Sequence, residues 1–324
     1  MKNILHLPRR TEIQMTDMKI CETVSGLLDK EVRTAHMTAR QIGHALWDIT
    51  RNYPISAYGA LKHRLMLEDI ETYCMFIGYQ RSGHSLIASS LNAHPNIMIA
   101  DELGVLKYIL ARFSKKQIYH LLLENSKMYA ERGSVRIFAE KGVKAAGKYS
   151  YKVPDQWQGK FRKLQVIGDK HANGVTSRLM ARPWLLPRLQ HTINGNMKVF
   201  HIVRNPYDNI STISKRLNIS LEQSIELYFS LCKTVADVKK QLDVSDLFEL
   251  RHESYVDDPK KFLRQMCSFL GVDAPDDYLD DCAGIVFKSP RKTRHTVQWN
   301  SGLTDSVYEK MSQFPFLEGY SYTD

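Results

Sequence analysis

The chain has 324 residues, 43% hydrophobic and 25% charged. That balance is ordinary for a globular protein and supplies enough apolar side chains for a substantial core. Its 45 Lys and Arg against 35 Asp and Glu give a formal charge of +10, which favours anionic ligands. The densest basic stretches, 141–163 and 291–294, are short and interleaved with other residues. A multiply charged small ligand therefore explains the charge better than a nucleic acid does. Cys21, Cys74, Cys232, Cys267 and Cys282 are widely spaced and form no C-x-x-C pair. This argues against a disulfide framework or zinc site and suits a reducing compartment. No apolar run is long enough to span a membrane, and charge interrupts the N-terminus too early for a signal peptide. A soluble, cytoplasmic protein is expected.

In chain order, apolar positions at helical spacing occupy residues 16–50, among them Ile20, Val24, Leu27, Leu28, Ile42, Ala45, Leu46 and Ile49. A further helix is expected over 61–67. The run Tyr73–Ile77 predicts a strand, and Gly78 to Ser85 a glycine loop opening a helix over 84–93. A short strand at 97–99 leads to Asp101 and Glu102, and helices are expected at 105–113 and 116–132. Residues 141–160, rich in Gly, Lys and aromatics, read as a loop or lid. A strand at 164–167 runs into Asp169, Lys170 and His171, followed by a helix near 173–193 interrupted by Pro183 and Pro187. A strand at 198–203, helices over 207–217 and 220–241, a strand at 246–251 and a helix over 258–270 complete the pattern.

Strands alternating with helices predict an α/β fold with a parallel sheet covered on both faces. Ligands in such sheets bind beyond the carboxyl ends of the strands. The loops 78–85, 101–102, 169–171 and 204–212 all begin at such ends, so one site is expected there. Residues 1–70 form a helical extension on a single unit, 71–324.

Gly78-Tyr-Gln-Arg-Ser-Gly-His-Ser85 has P-loop spacing between strand and helix, the context in which backbone N–H groups cradle a phosphate. His84 stands where a nucleoside triphosphatase has lysine, and the cation lies inside the loop as Arg81. No apolar strand ends in an aspartate well placed for magnesium. Arg204 puts a guanidinium at the end of the 198–203 strand. A phosphate loop and a separate anion-reading arginine imply a ligand with two phosphates held apart. Each residue also has a plainer reading. Arg204 could pair with Asp208 at the surface, and Asp101 or Glu102 could cap the next helix. Lys170 could be an exposed lysine, Arg291 and Lys292 a solvated loop, and His171, His201 and His295 structural.

Residues 73–91 and 198–216 together resemble the two cofactor signatures of sulfotransferases that use 3′-phosphoadenosine 5′-phosphosulfate (PAPS). The 5′ signature is carried by Gly78–Ser85 with Arg81 as its cation, the 3′ signature by Arg204, Pro206, Asp208 and Thr212. Two departures are visible: His84 replaces the usual threonine, and Thr212, beside Ser211, replaces the usual serine. Weaker likeness extends through Ile167–Lys170, Leu250–Val256, Asp258-Pro259, Phe269-Leu-Gly271 and Arg291-Lys292 to Trp299, so that roughly 73–300 is covered.

The resemblance implies a P-loop-type three-layer sandwich, PAPS as cofactor, PAP as its product, and no metal. It implies 5′ contacts from Gln80, Arg81, Ser82, Gly83, His84 and Ser85. On the 3′ side it implies Arg204, Ser211 or Thr212, and Arg291 and Lys292. Arg81 and Lys170 would stabilise the departing phosphate, Lys170 at the bridging oxygen. The general base would be Glu102, as in the branch that sulfates protein tyrosines and that the Arg81-bearing loop resembles, or His171, as in cytosolic small-molecule enzymes; His84 is a third candidate, better suited to a positioning donor. The implied reaction is in-line transfer of a sulfuryl group from PAPS to a hydroxyl or amine of a small-molecule, glycan or peptide acceptor. Residues 1–70 and 115–160, which carry no cofactor motif, are expected to shape the acceptor pocket. The competing expectations are a P-loop kinase using ATP and a non-catalytic nucleotide-binding protein.

Overall fold

The computed structural model describes residues 39–140, 143–288 and 292–324. Its centre is a parallel sheet of five strands: β1 (Thr72–Ile77), β2 (Ile97–Asp101), β5 (Val166–Lys170), β6 (Asn196–Val203) and β7 (Leu247–Arg251). Their order is β2–β5–β1–β6–β7. From β1 the chain moves outward to β2 and β5 on one side, then to β6 and β7 on the other. The crevice at such a reversal is where open α/β sheets bind ligands. The loops after β1 and β6, neighbours in the sheet, flank it.

Apart from the half-exposed edge strand β7, the strands are largely buried on both faces, and their residues divide by parity, as a two-residue repeat requires. Tyr73, Met75 and Ile77 of β1 pack with Met98, Ala100, Ile167, Val199 and Val203 in one core. Cys74 and Phe76 face the other way and join Ile97, Ile99, Val166, Phe200 and Ile202. The first core is closed by helices Lys115–Glu131, Ala172–Ala181, Leu185–Ile193, Pro206–Leu217 and Leu221–Lys239. The second is closed by His84–Asn92, Pro259–Leu270 and Asp276–Gly284. This is the expected three-layer α/β sandwich. Cys74, Cys232, Cys267 and Cys282 are free and buried, so they serve as small apolar residues.

Several boundaries differ from the sequence reading. Residues 141–160 are not simply a loop: β3 (Val135–Glu140) and β4 (Val143–Ser150) form an antiparallel pair apart from the main sheet. The strand expected at 164–167 lies at 166–170, so Asp169 and Lys170 belong to it. Gly168 interrupts the apolar pattern, yet it is what lets β5 approach β1. A Cβ there would stand 2.4 Å from the Cys74 sulfur and 2.5 Å from its carbonyl oxygen. The helix near 173–193 is two helices, Ala172–Ala181 and Leu185–Ile193. Pro187 falls in the first turn of the second, where its missing N–H has no intrahelical partner to lose. Helices Asp276–Gly284 and Ser301–Met311 were not foreseen. Of the amphipathic pattern at 16–50, the described part belongs to helix Ala39–Lys62, which runs on through Pro54; the remainder lies outside the described residues. Asp48–Lys107 (2.9 Å) and Asn52–Tyr108 (2.8 Å) tie this helix to the short helix Val105–Leu110.

Candidate active site

The loop after β1 is shaped by backbone conformations that ordinary side chains avoid. Gly78, Arg81 and Gly83 have φ of 128°, 69° and 92°. Gly83 caps helix His84–Asn92 in the left-handed region, and a Cβ on it would meet the His252 ring at 2.2 Å. His84 and Ser85 open this helix, at the end where backbone N–H groups lack intrahelical acceptors and make a ready seat for an anion. The rest of the loop is pinned from outside. The Gly78 N–H donates to the Thr176 hydroxyl at 2.8 Å. Asn209 Nδ2 donates to the Gln80 carbonyl at 2.6 Å and to Ser82 Oγ at 2.9 Å. Arg204 Nη1 donates to the Arg81 carbonyl at 3.2 Å. The segment after β6 is thus knitted to the loop after β1.

That segment starts a helix because Asn205 caps it, its side chain accepting from the Tyr207 N–H at 3.0 Å, and Pro206 supplies the first turn. Arg204 is nearly buried rather than at the surface, with Nη2 3.7 Å from Asp208 Oδ2. Ser211 is fully buried and accepts from the Trp299 indole N–H at 3.0 Å. The Thr212 hydroxyl donates to the Asp208 carbonyl at 2.8 Å. Lys292 is exposed, and Arg291 lies outside the described residues.

At the other wall, parallel register sets Asp101 of β2 beside Lys170 of β5. The buried ammonium of Lys170 reaches Asp101 at 2.7 Å, Glu102 at 3.0 Å and Ser85 Oγ, on the glycine loop, at 3.3 Å. Lys170 is therefore not an exposed lysine, and it joins the glycine loop to the acidic pair. Glu102 has φ 56°, a strained conformation for a non-glycine residue, and its side chain is 46% exposed. It does not cap the following helix. Asp169 does that work, accepting the N–H groups of Leu103, Gly104 and Val105 at 3.1, 2.8 and 3.1 Å. By gripping the turn immediately after Glu102, the buried Asp169 carboxylate fixes where Glu102 emerges.

His171 is placed differently. Its ring is wedged between two glycines: a Cβ on Gly174 would stand 2.2 Å from Nε2, and one on Gly104 3.2 Å from Nδ1. Nδ1 is buried without a partner among the described residues. Burial pushes this imidazole below its ordinary range, against the pull of Asp169 and Glu102. His84 packs beneath the loop, edge-on to Phe76, and burial with Lys170 nearby pushes it down to about 3. His252 fills the space beside Gly83 and is likewise pushed to about 3 by burial, Arg204 adding to the effect. His201 is structural, paired with Glu249 at 2.7 Å.

A family model described as "Sulfotransferase family" matches residues 75–276, more than half of the chain, including the loops after β1, β2, β5 and β6. The chain belongs to the sulfotransferase family. It is a transferase, and the family assignment offers no support for the kinase alternative. No curated protein sequence matches this sulfotransferase. Solved structures similar to it include the sulfotransferase domain of a Synechococcus olefin synthase, at 14% identity and a TM-score of 0.47, covering 75% of this chain and 94% of that one. A Mycobacterium tuberculosis sulfotransferase aligns at 10% identity and 0.47 over 92% and 93% of the two chains. A mouse sulfotransferase complexed with PAP aligns at 11% identity and 0.40 over 78% and 84%.

Sequence reasoning missed five residues that shape this candidate site: Thr176, Asn209, Asp169, His252 and Arg294, whose backbone N–H and Nη1 donate to Asp208. Asn209, Asp169 and His252 lay inside segments already singled out, and Arg294 ended a noted basic stretch. Thr176 carried no local signal, because its role comes from an element that only the fold brings to the loop.

Proposed function

We propose that this sulfotransferase uses PAPS, binding its 5′-phosphosulfate at Gly78–Ser85 and its 3′-phosphate at the Arg204 segment. The observation that carries the reading is the bond from Arg204 to the Arg81 carbonyl. It joins two anion-reading segments in one cleft, as a nucleotide with two separated phosphates requires. The residues present fit such a ligand: a glycine-shaped loop at a helix N-terminus, a cation within it, and a nearly buried arginine beside it. When bound, PAPS supplies a sulfuryl group whose sulfur passes from the 5′-phosphate oxygen to the acceptor oxygen or nitrogen.

The chain's own groups do the rest. Gln80, Ser82, Gly83, His84 and Ser85 hold the 5′ end through the loop backbone and its hydroxyls. His84 contributes its backbone, since its imidazole is turned beneath the loop. Arg81 and Lys170 hold the negative charge that gathers on the departing phosphate, an effect worth about 10²–10³-fold for each well-placed donor. Glu102 takes the acceptor's proton. It stands 3.0 Å from Lys170 and is open to solvent, whereas His171 is wedged between glycines. Ser211, Thr212, Arg291 and Lys292 complete the 3′ side. The acceptor is a small molecule, glycan or peptide bearing a hydroxyl or amine, and the reaction belongs to the cytoplasm.

Calorimetric titration with adenosine 3′,5′-bisphosphate, and separately with ATP and magnesium, tests this. Tight metal-independent binding of the bisphosphate, lost in Arg204→Ala, is the expected result. Preference for magnesium–ATP would overturn it.

A further inference from the structure

The most deeply buried cation near the cleft is one that neither cofactor signature includes. Arg294 is 2% exposed and sits in the short turn Thr293–Thr296, packed on helix Pro206–Leu217. It grips both oxygens of Asp208: its backbone N–H donates to Oδ1 at 2.9 Å, and Nη1 to Oδ2 at 3.1 Å. Arg204, one helical turn before Asp208, reaches the same Oδ2 only at 3.7 Å, beyond hydrogen-bond range. Arg294 therefore takes the hydrogen bonds of the Asp208 carboxylate and leaves Arg204, its i,i+4 neighbour, the longer ion pair. Its Nε is buried and has no acceptor among the described residues. Buried donors are almost always satisfied, so an unsatisfied one calls for a reason. The turn is tied down on both sides, by Lys215 to Thr296 at 3.3 Å and by Trp299 to Ser211 at 3.0 Å.

We propose that Arg294 is a positioning residue for the 3′-phosphate seat, holding Asp208 so that Arg204 is presented to the phosphate. The inference rests on the nucleotide reading above. It differs from the sequence expectation, which gave this stretch a direct role through Arg291 and Lys292. Lys292 lies in solvent, whereas Arg294 acts from beneath, through Asp208. A planar guanidinium suits that task, because one side chain can bond the carboxylate and still keep a further donor in the same plane.

The test compares two nucleotides. Affinities for adenosine 3′,5′-bisphosphate and for adenosine 5′-phosphate are measured calorimetrically on the full chain and on Arg294→Gln, Arg294→Lys, Asp208→Asn and the Asp208→Asn/Arg294→Gln double variant. In Arg294→Gln the bisphosphate should weaken about tenfold or more while the monophosphate stays within about twofold, the loss of one charge-assisted contact. Arg294→Lys should recover part of the difference. The double variant should lose no more than the worse single one, since both act through one pair. Equal loss for both nucleotides would mean a merely structural pair and would overturn the proposal, as would undiminished discrimination. If Arg294→Gln does not fold, Arg294→Lys decides by the same comparison. A wild-type protein that fails to prefer the bisphosphate would instead sink the cofactor reading itself, and this inference with it.

Discussion

Glu102 and His171 are the two candidate bases. Both follow strands at the edge of the cleft, and both can accept a proton. The difference lies in surroundings that sequence does not report: Glu102 meets Lys170 at 3.0 Å, while the His171 ring is enclosed by Gly104 and Gly174. Glu102→Gln should therefore lower turnover by about 10²–10⁴-fold, the usual worth of a general base, with little change in bisphosphate affinity. Steady-state kinetics beside calorimetry checks this, and full activity in the variant would transfer the role to His171. The motif residues Arg81, Lys170 and Arg204 were legible because a cation beside a strand end or glycine loop has a chemical meaning at short range. Arg294 was not, because its meaning depends on Asp208, which is distant in sequence and 3.1 Å away in space.

At the scale of elements, the glycine loop after β1 is held by parts of the fold that come after it in the chain. Gly83 illustrates the dependence. Its φ of 92° disfavours any side chain, and the His252 ring occupies the place of a Cβ. Gly83→Ala should cost about 1–3 kcal/mol from the backbone conformation alone. Displacement of His252 should add to that, and nucleotide affinity should fall with stability. Thermal melts of the variant check it; an unchanged melting temperature would show that the loop relaxes freely. The glycines were readable as a turn, and strand and helix positions followed from two-residue and helical periodicity. Misplaced boundaries had local causes. Gly168-Asp169-Lys170 lacks the apolar look of a strand, though β5 runs through it, because its pairing with β1 and β2 outweighs local preference.

Across the whole molecule, folding closes the sheet over several imidazoles and keeps them neutral. His84 and His252 fall from an ordinary 6.5 to about 3. Below pH 6.5 the unfolded chain takes up protons that the native protein refuses, so stability declines as the pH falls toward 3. The slope approaches about 1.4 kcal/mol per pH unit for each such histidine. Denaturant midpoints should therefore fall between pH 7 and pH 5, and less steeply in His252→Gln. An identical pH dependence in that variant would refute the assignment. The sequence by itself determined the α/β class, the glycine loop after β1 and the place of Arg204 at the end of β6, since each rests on short-range periodicity or on adjacent residues. Only the tertiary structure decided that these segments share a cleft, that Asp169 fixes the turn after Glu102, and that Arg294 holds Asp208. Those facts depend on strand order and register, which bring together residues far apart in the chain and which no local pattern specifies.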